Sequence, residues 1–144
     1  IYTHFPADEN KTVDLGRLGE ESVRLSEIMQ NSTENTLVLM NETLATTNVE
    51  EGVYLARDIV RFMCYIGVRA IYNTHMHDLA RNLEAFNSDP EIHSRVESIV
   101  TGIENGRRSF HVQVLPPQNA SYARDIAIKY GITFEQLKQS RELK

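Results

Sequence analysis

The residues able to do chemistry concentrate in two short segments, Leu37-Val-Leu-Met-Asn41-Glu42 and Asn73-Thr74-His75-Met76-His77-Asp78. In the first, a carboxylate follows directly on a continuous apolar run, where it could orient or deprotonate a water. In the second, His75 offers an imidazole that can hold a phosphate or a water. His75, His77 and Asp78 also have the close spacing of metal ligands, although His4, His93 and His111 add no patterned third ligand. Taken singly, Glu42 reads as the first solvated residue after a strand, and the histidine segment as a polar loop capping a helix. An acid and an imidazole issuing from two strand ends one crossover apart are more specific than either alone.

The flanking residues say which elements position them. From Gly19, the residues Val23, Leu25, Ile28 and Met29 recur at roughly helical spacing with Glu20, Glu21, Arg24 and Glu27 between them, ending near Asn31–Ser32. Thr36–Met40 predicts a strand buried on both faces, as in a parallel sheet. Val49, Val53, Ala56, Val60 and Met63 then line one side of a long helix, widened by Leu55, Ile59, Phe62 and Ile66. Gly67 stands at its C-cap and Val68–Asn73 reads as a second strand. Strand, helix, strand with short joints is a βαβ crossover, so Glu42 and His75 should emerge at one edge of one sheet, where open α/β sheets take ligands.

The rest of the chain is less informative about chemistry. Ile1–Asp14 reads as an extended lead-in or loop. Arg95–Ile103 and Ser109–Leu115 read as a hairpin turned by Asn105-Gly106 and stopped by Pro116-Pro117. Ser121–Tyr130 predicts a helix broken by Gly131, and Thr133 a cap for a last helix carrying Phe134, Leu137 and Leu143. The expectation is one domain over residues 1–144, with a lead-in at 1–18, a core at 19–94, and hairpin and helices at 95–144. Phe62, Tyr65 and Tyr72 read as core, and Cys64 as packing.

Composition excludes several classes. The 144 residues are 41% apolar and carry 15 basic against 20 acidic side chains, a net charge of −5 that argues against a surface built to coat nucleic acid. The apolar runs, such as Leu37–Met40, fall far short of the roughly 20 residues that span a bilayer. A single cysteine rules out an internal disulfide framework and fits a reducing compartment, and no leader pattern opens the chain, so a cytoplasmic place is expected. The chain opens on Ile1 and reads as a piece of something longer.

The order Thr36-Leu-Val-Leu-Met-Asn-Glu42, Val49-Glu-Glu-Gly52 and Ile71-Tyr-Asn-Thr-His75-Met-His-Asp-Leu79 resembles the carboxyl-terminal ATPase domain of the MutS mismatch-repair family. Asn119–Ala127 and Gly131–Glu135 extend the resemblance, which covers most of the chain from about Asp14. The resemblance implies an α/β fold with a mainly parallel sheet and flanking helices, a partial P-loop NTPase of the ABC-type ATPase kind, with a β-hairpin extension and C-terminal helices. It implies ATP and magnesium as cofactors of the intact protein, a homodimer, and DNA contacts through other domains, with no membrane. Asn41-Glu42 falls on the Walker B pair, Glu42 as general base and Asn41 near magnesium through water. His75 falls on the switch histidine, with Thr74 beside it at the phosphate. Asn48, Glu51 and Gly52 fall on a dimer-communication loop, and Ser22 on the signature serine that reads the partner's nucleotide.

The departures matter as much. Family members have Asp where this chain has Asn41, so a full charge beside the divalent ion is lost. Thr43–Asn48 lacks the family's glycines and arginine, and Val23 follows Ser22 where Thr is usual. No Gly-x-x-x-x-Gly-Lys-Ser/Thr occurs, and Lys11, Lys129, Lys138 and Lys144 follow no glycine loop. The chain by itself should not hydrolyse ATP. Two readings stand: a fragment contributing the Walker B and switch-histidine side of an ATP site in a dimer, or a degenerate, non-hydrolytic dimerisation or scaffold module of the same fold. A metal hydrolase built on His75 and His77 is a third.

Overall fold

A computed structural model describes residues 1–5, 16–104, 107–117 and 122–142. Its centre is a parallel three-stranded sheet of order β1 (Tyr2–His4), β2 (Leu37–Asn41), β3 (Arg69–Asn73). Helix α1 (Gly16–Gln30) precedes β2, and α2 (Val49–Ile66) makes the crossover to β3. The ladder pairs Leu37 with Arg69 through Asn41 with Asn73, and His4 with Met40.

Local chemistry sets the ends of α2. Asn48 caps its start by accepting from the Glu50 N–H at 2.9 Å, with Glu50 and Glu51 favoured in the first turn by the helix dipole. Gly67 ends it in the left-handed conformation, φ 75°, which lets the Val68 N–H return to the Met63 carbonyl at 3.0 Å.

Both connecting helices cover one face of the sheet. Leu25 and Ile28 of α1, and Ala56, Val60 and Met63 of α2, pack in one cluster with Val38 and Met40. Burying Val38 and Met40, at 0% and 2% exposure, contributes about 1.5–3 kcal/mol each. The opposite face carries Leu37 and Leu39, half-buried, and Ile71, exposed. The expectation of a strand buried on both faces is therefore corrected. Val38 and Met40 point into the core, and their neighbours Leu37 and Leu39 point to the opposite face, where they are only half-buried.

Other readings are also revised. Within the lead-in, Tyr2–His4 is a strand, three residues being too few for alternation to register in sequence, and α1 begins at Gly16 rather than Gly19. Val23 is exposed, because the inward stripe of α1 runs through Leu18, Leu25 and Ile28. Val49, Phe62 and Tyr65 lie on the solvent side of α2, the last two rings 6.4 Å apart, so only Tyr72 of the three aromatics expected in the core is part-buried. Cys64 is buried, and that burial pushes its thiol above the ordinary value, as packing requires.

After β3 come two short helices, α3 (His77–Arg81) and α4 (Leu83–Asn87), which give Leu79 and Phe86 to the core. Strands β4 (Ile99–Glu104) and β5 (Arg107–Val114) form an antiparallel hairpin with an irregularity between Thr101 and Ile103; its Asn-Gly turn lies outside the described residues. The hairpin starts later than Arg95 because the Asn87 side chain bonds both the N–H and the carbonyl of Val96 at 2.9 Å, taking a neighbouring strand's place. Helices α5 (Tyr122–Lys129) and α6 (Phe134–Glu142) follow, separated by Gly131 at φ 70°. Leu143 lies outside the described residues. Among the described residues no helix is long and apolar enough to cross a membrane.

Candidate functional site

The β2 and β3 tips are held together at the last ladder rung and just beyond it. Asn73 Nδ2 donates to Asn41 Oδ1 at 2.6 Å, and the Glu42 N–H donates to the Asn73 carbonyl at 2.8 Å. One residue further out, His75 Nδ1 lies 2.5 Å from Glu42 Oε2. Both side chains reach water, at 60% and 36% exposure. An ionised carboxylate only accepts, so Nδ1 carries the proton. Nε2 is then left to accept from a water when the ring is neutral, or to donate to an anion when it is protonated. The second oxygen of Glu42 remains open beside it.

Glu42 reaches His75 because its backbone turns. Glu42 has φ 49° and Leu44 φ 63°, left-handed conformations that cost a residue bearing a Cβ about 1–2 kcal/mol each. Such a bend persists only where its surroundings over-determine it. The Thr43 carbonyl accepts from the Tyr72 hydroxyl at 2.6 Å, and the Leu44 N–H donates to Glu21 Oε1 at 2.7 Å. His4 Nδ1 lies 2.9 Å from Thr43 Oγ1 and 4.0 Å from Glu21 Oε1. Burial, then the nearby Glu21 and Glu42 carboxylates, push the Tyr72 phenol far above its ordinary value, so it stays protonated as a donor.

The sequence-derived site residues divide accordingly. Glu42, His75 and Asn41 gather at one sheet edge. Thr74 adjoins them, but its hydroxyl accepts from the Met76 N–H at 3.1 Å in a local turn. Asn48 caps α2, Glu51 accepts from the Thr47 hydroxyl at 3.1 Å, and Gly52 is buried where a Cβ would stand 2.8 Å from the Leu44 carbonyl oxygen. Ser22 lies in the second turn of α1 and is exposed there. It is the preceding Glu21 that reaches the loop after β2.

Glu21 carries a sequence signal of phase: it falls on the stripe of Leu18, Leu25 and Ile28, where a carboxylate needs a partner inside. The parts played by Asn73, Tyr72 and His4 rest on bonds to residues distant in sequence, which no local pattern shows. Among the described residues no group of three or more His, Cys, Asp or Glu side chains could hold a metal ion. An imidazole and a carboxylate side by side at the tip can bind a phosphate or a water. The tip suits magnesium less, since residue 41 is neutral and its amide oxygen already accepts from Asn73.

Residues 1–141 match the family model of MutS domain V. The chain is 29% identical to the DNA mismatch repair protein MutS 2 of Haloarcula marismortui over 125 residues, 85% of this chain and 13% of that protein. It is 26% identical to the Endonuclease MutS2 of Thermus thermophilus over 151 aligned positions, 99% of this chain and 18% of that protein. With the DNA mismatch repair protein MutS of Geobacillus thermodenitrificans it shares 21% over 145 positions, 99% of this chain and 15% of that protein. It thus spans at most 18% of the length of these relatives. With an α/β architecture around a parallel sheet and a family match over nearly its whole length, the chain belongs to the MutS family, as its domain V.

Proposed function

We propose that this chain supplies the Walker B and switch-histidine side of an ATP site in a P-loop, ABC-type ATPase domain. In the intact protein the site is completed across a homodimer, and other domains engage DNA in mismatch repair or recombination. The observation that carries this reading is the Glu42–His75 contact at adjacent strand tips. ATP supplies the phosphoanhydride to be cleaved. Glu42, through the oxygen not bound to His75, orients the attacking water and takes its proton. His75, held by Glu42 at Nδ1, donates from Nε2 to the terminal phosphate when the ring carries both protons, with Thr74 beside it. Asn41 faces the magnesium side and brings an amide oxygen without charge; no step is assigned to it.

The communication role of Asn48, Glu51 and Gly52 gains support from the packing of Gly52 under the Leu44 carbonyl. A shift of the α2 start would reach the segment that carries Glu42. Ser22, exposed on α1, is the residue offered to the partner's nucleotide.

The test is Glu42→Gln in the intact protein. Nucleotide binding is expected to persist while turnover falls on the order of 10²–10³-fold. Unchanged turnover removes Glu42 from this role. A non-hydrolytic scaffold module is the second reading, favoured by the neutral Asn41–Asn73 pair. An intact wild-type protein that binds ATP without turning it over decides for that reading.

A further inference from the structure

The Thr43 carbonyl and the Leu44 N–H belong to one peptide group, and it is gripped at both ends by side chains from separate elements. Tyr72 of β3 donates to the carbonyl at 2.6 Å and Glu21 of α1 accepts from the N–H at 2.7 Å. Nothing in the sheet ladder holds this peptide, because the chain has left β2 with two left-handed residues, Glu42 and Leu44, on either side of Thr43. Leu44 is 1% exposed, so water has little access to its amide, and the Glu21 side chain is itself only 14% exposed. Rotating the peptide plane would be the direct route for the bend to relax. It would also break the bond between the buried Leu44 residue and the part-buried Glu21 carboxylate. Glu42 adjoins this unit, and its carboxylate meets His75 only while the bend persists.

From this geometry we infer that Glu21 is a positioning residue for Glu42, acting through the Leu44 amide, with Tyr72 as its counterpart on the carbonyl. Glu21 touches neither Glu42 nor His75 in any hydrogen bond of the site; its effect passes through one peptide plane. The inference builds on the role proposed for Glu42, but the juxtaposition it concerns, Glu42 against His75, can be read without turnover.

The experiment uses the intact protein labelled with ¹⁵N-histidine, in wild-type, Glu21→Leu, Glu21→Gln and Tyr72→Phe forms. The readout is the His75 Nδ1 resonance, whose position reports the hydrogen bond to Glu42 and whose assignment comes from Glu42→Ala, which removes the acceptor. Glu21→Leu is expected to move that resonance most of the way to its Glu42→Ala position. Glu21→Gln, which keeps an oxygen acceptor, should leave it near wild type, and Tyr72→Phe should give an intermediate shift. In ATP turnover, Glu21→Leu should lower kcat about tenfold with KM changed less than twofold, and should add nothing in the Glu42→Gln background. An unmoved His75 resonance in Glu21→Leu overturns the inference, as does an equal shift in Glu21→Gln, or a full tenfold loss of kcat on top of Glu42→Gln. If Glu21→Leu does not fold, Glu21→Gln and Tyr72→Phe decide it through the same resonance. Should the resonance move as expected while Glu42→Gln leaves turnover unchanged, the positioning stands and the assigned role of Glu42 fails.

Discussion

Asn41 and Asn73 stand opposite each other at the last rung of the β2–β3 ladder, and the side-chain amide of Asn73 donates to that of Asn41 at 2.6 Å. The rung carries no charge, and its two side chains bond each other. It stands directly inside the Glu42–His75 contact, so the charge-bearing groups of this edge lie one step further from the sheet.

A carboxylate at residue 41 could still accept from Asn73 while adding a charge on the side where a divalent ion would lie. In the intact protein, Asn41→Asp is expected to strengthen magnesium-dependent nucleotide binding on the order of tenfold. Calorimetric titration with nucleotide at several magnesium concentrations reads this. Equal magnesium dependence in the two proteins contradicts it.

Gly52 is required by contact rather than by dihedral freedom. A Cβ there would come within 2.8 Å of the Leu44 carbonyl oxygen and 3.1 Å of Met76 Cε. The methionine can move, but the carbonyl belongs to the bent segment fixed by Glu21 and Tyr72. Gly52→Ala should destabilise by about 1–3 kcal/mol, even though alanine favours the helix by about 1 kcal/mol. A urea midpoint at or above that of the wild type would show that the loop yields.

His4 is 3% exposed, and burial holds its pKa below the ordinary 6.5, with Glu21 opposing the shift and Arg24 adding to it. The ring is therefore neutral in the fold at pH values where the unfolded chain already binds a proton. Stability is complete above about pH 6.5 and is lost as the pH falls from there through the lower folded value. Unfolding midpoints measured between about pH 7.5 and 5.5 should decline in the wild type and decline less in His4→Gln. Identical slopes would assign the acid sensitivity elsewhere.

The crossover that sets up the site was legible because its signals are local. An apolar strand run, an apolar stripe at helical spacing, Asn48 before it and Gly67 after it locate β2, α2 and β3 to within a residue or two. The acid and the imidazole then follow from topology alone. What stayed hidden depends on pairs far apart in sequence. Tyr2–His4 becomes a strand only by pairing with Val38–Met40, and Glu21 finds its partner in a backbone amide 23 positions away. The placement of Phe62 and Tyr65 was missed for a related reason: helical spacing gives the width of an apolar stripe but not which margin the sheet covers.

The handedness of a single backbone position has a reach beyond its own strain. Were residue 42 to straighten into the extended run that precedes it, its carboxylate would swing out past the end of its own strand, and the imidazole on the neighbouring one would face only solvent. The edge could then lose its paired character with every side chain intact. Substitutions that merely ease the local conformation, far from any phosphate, deserve the same scrutiny as those that remove the acid.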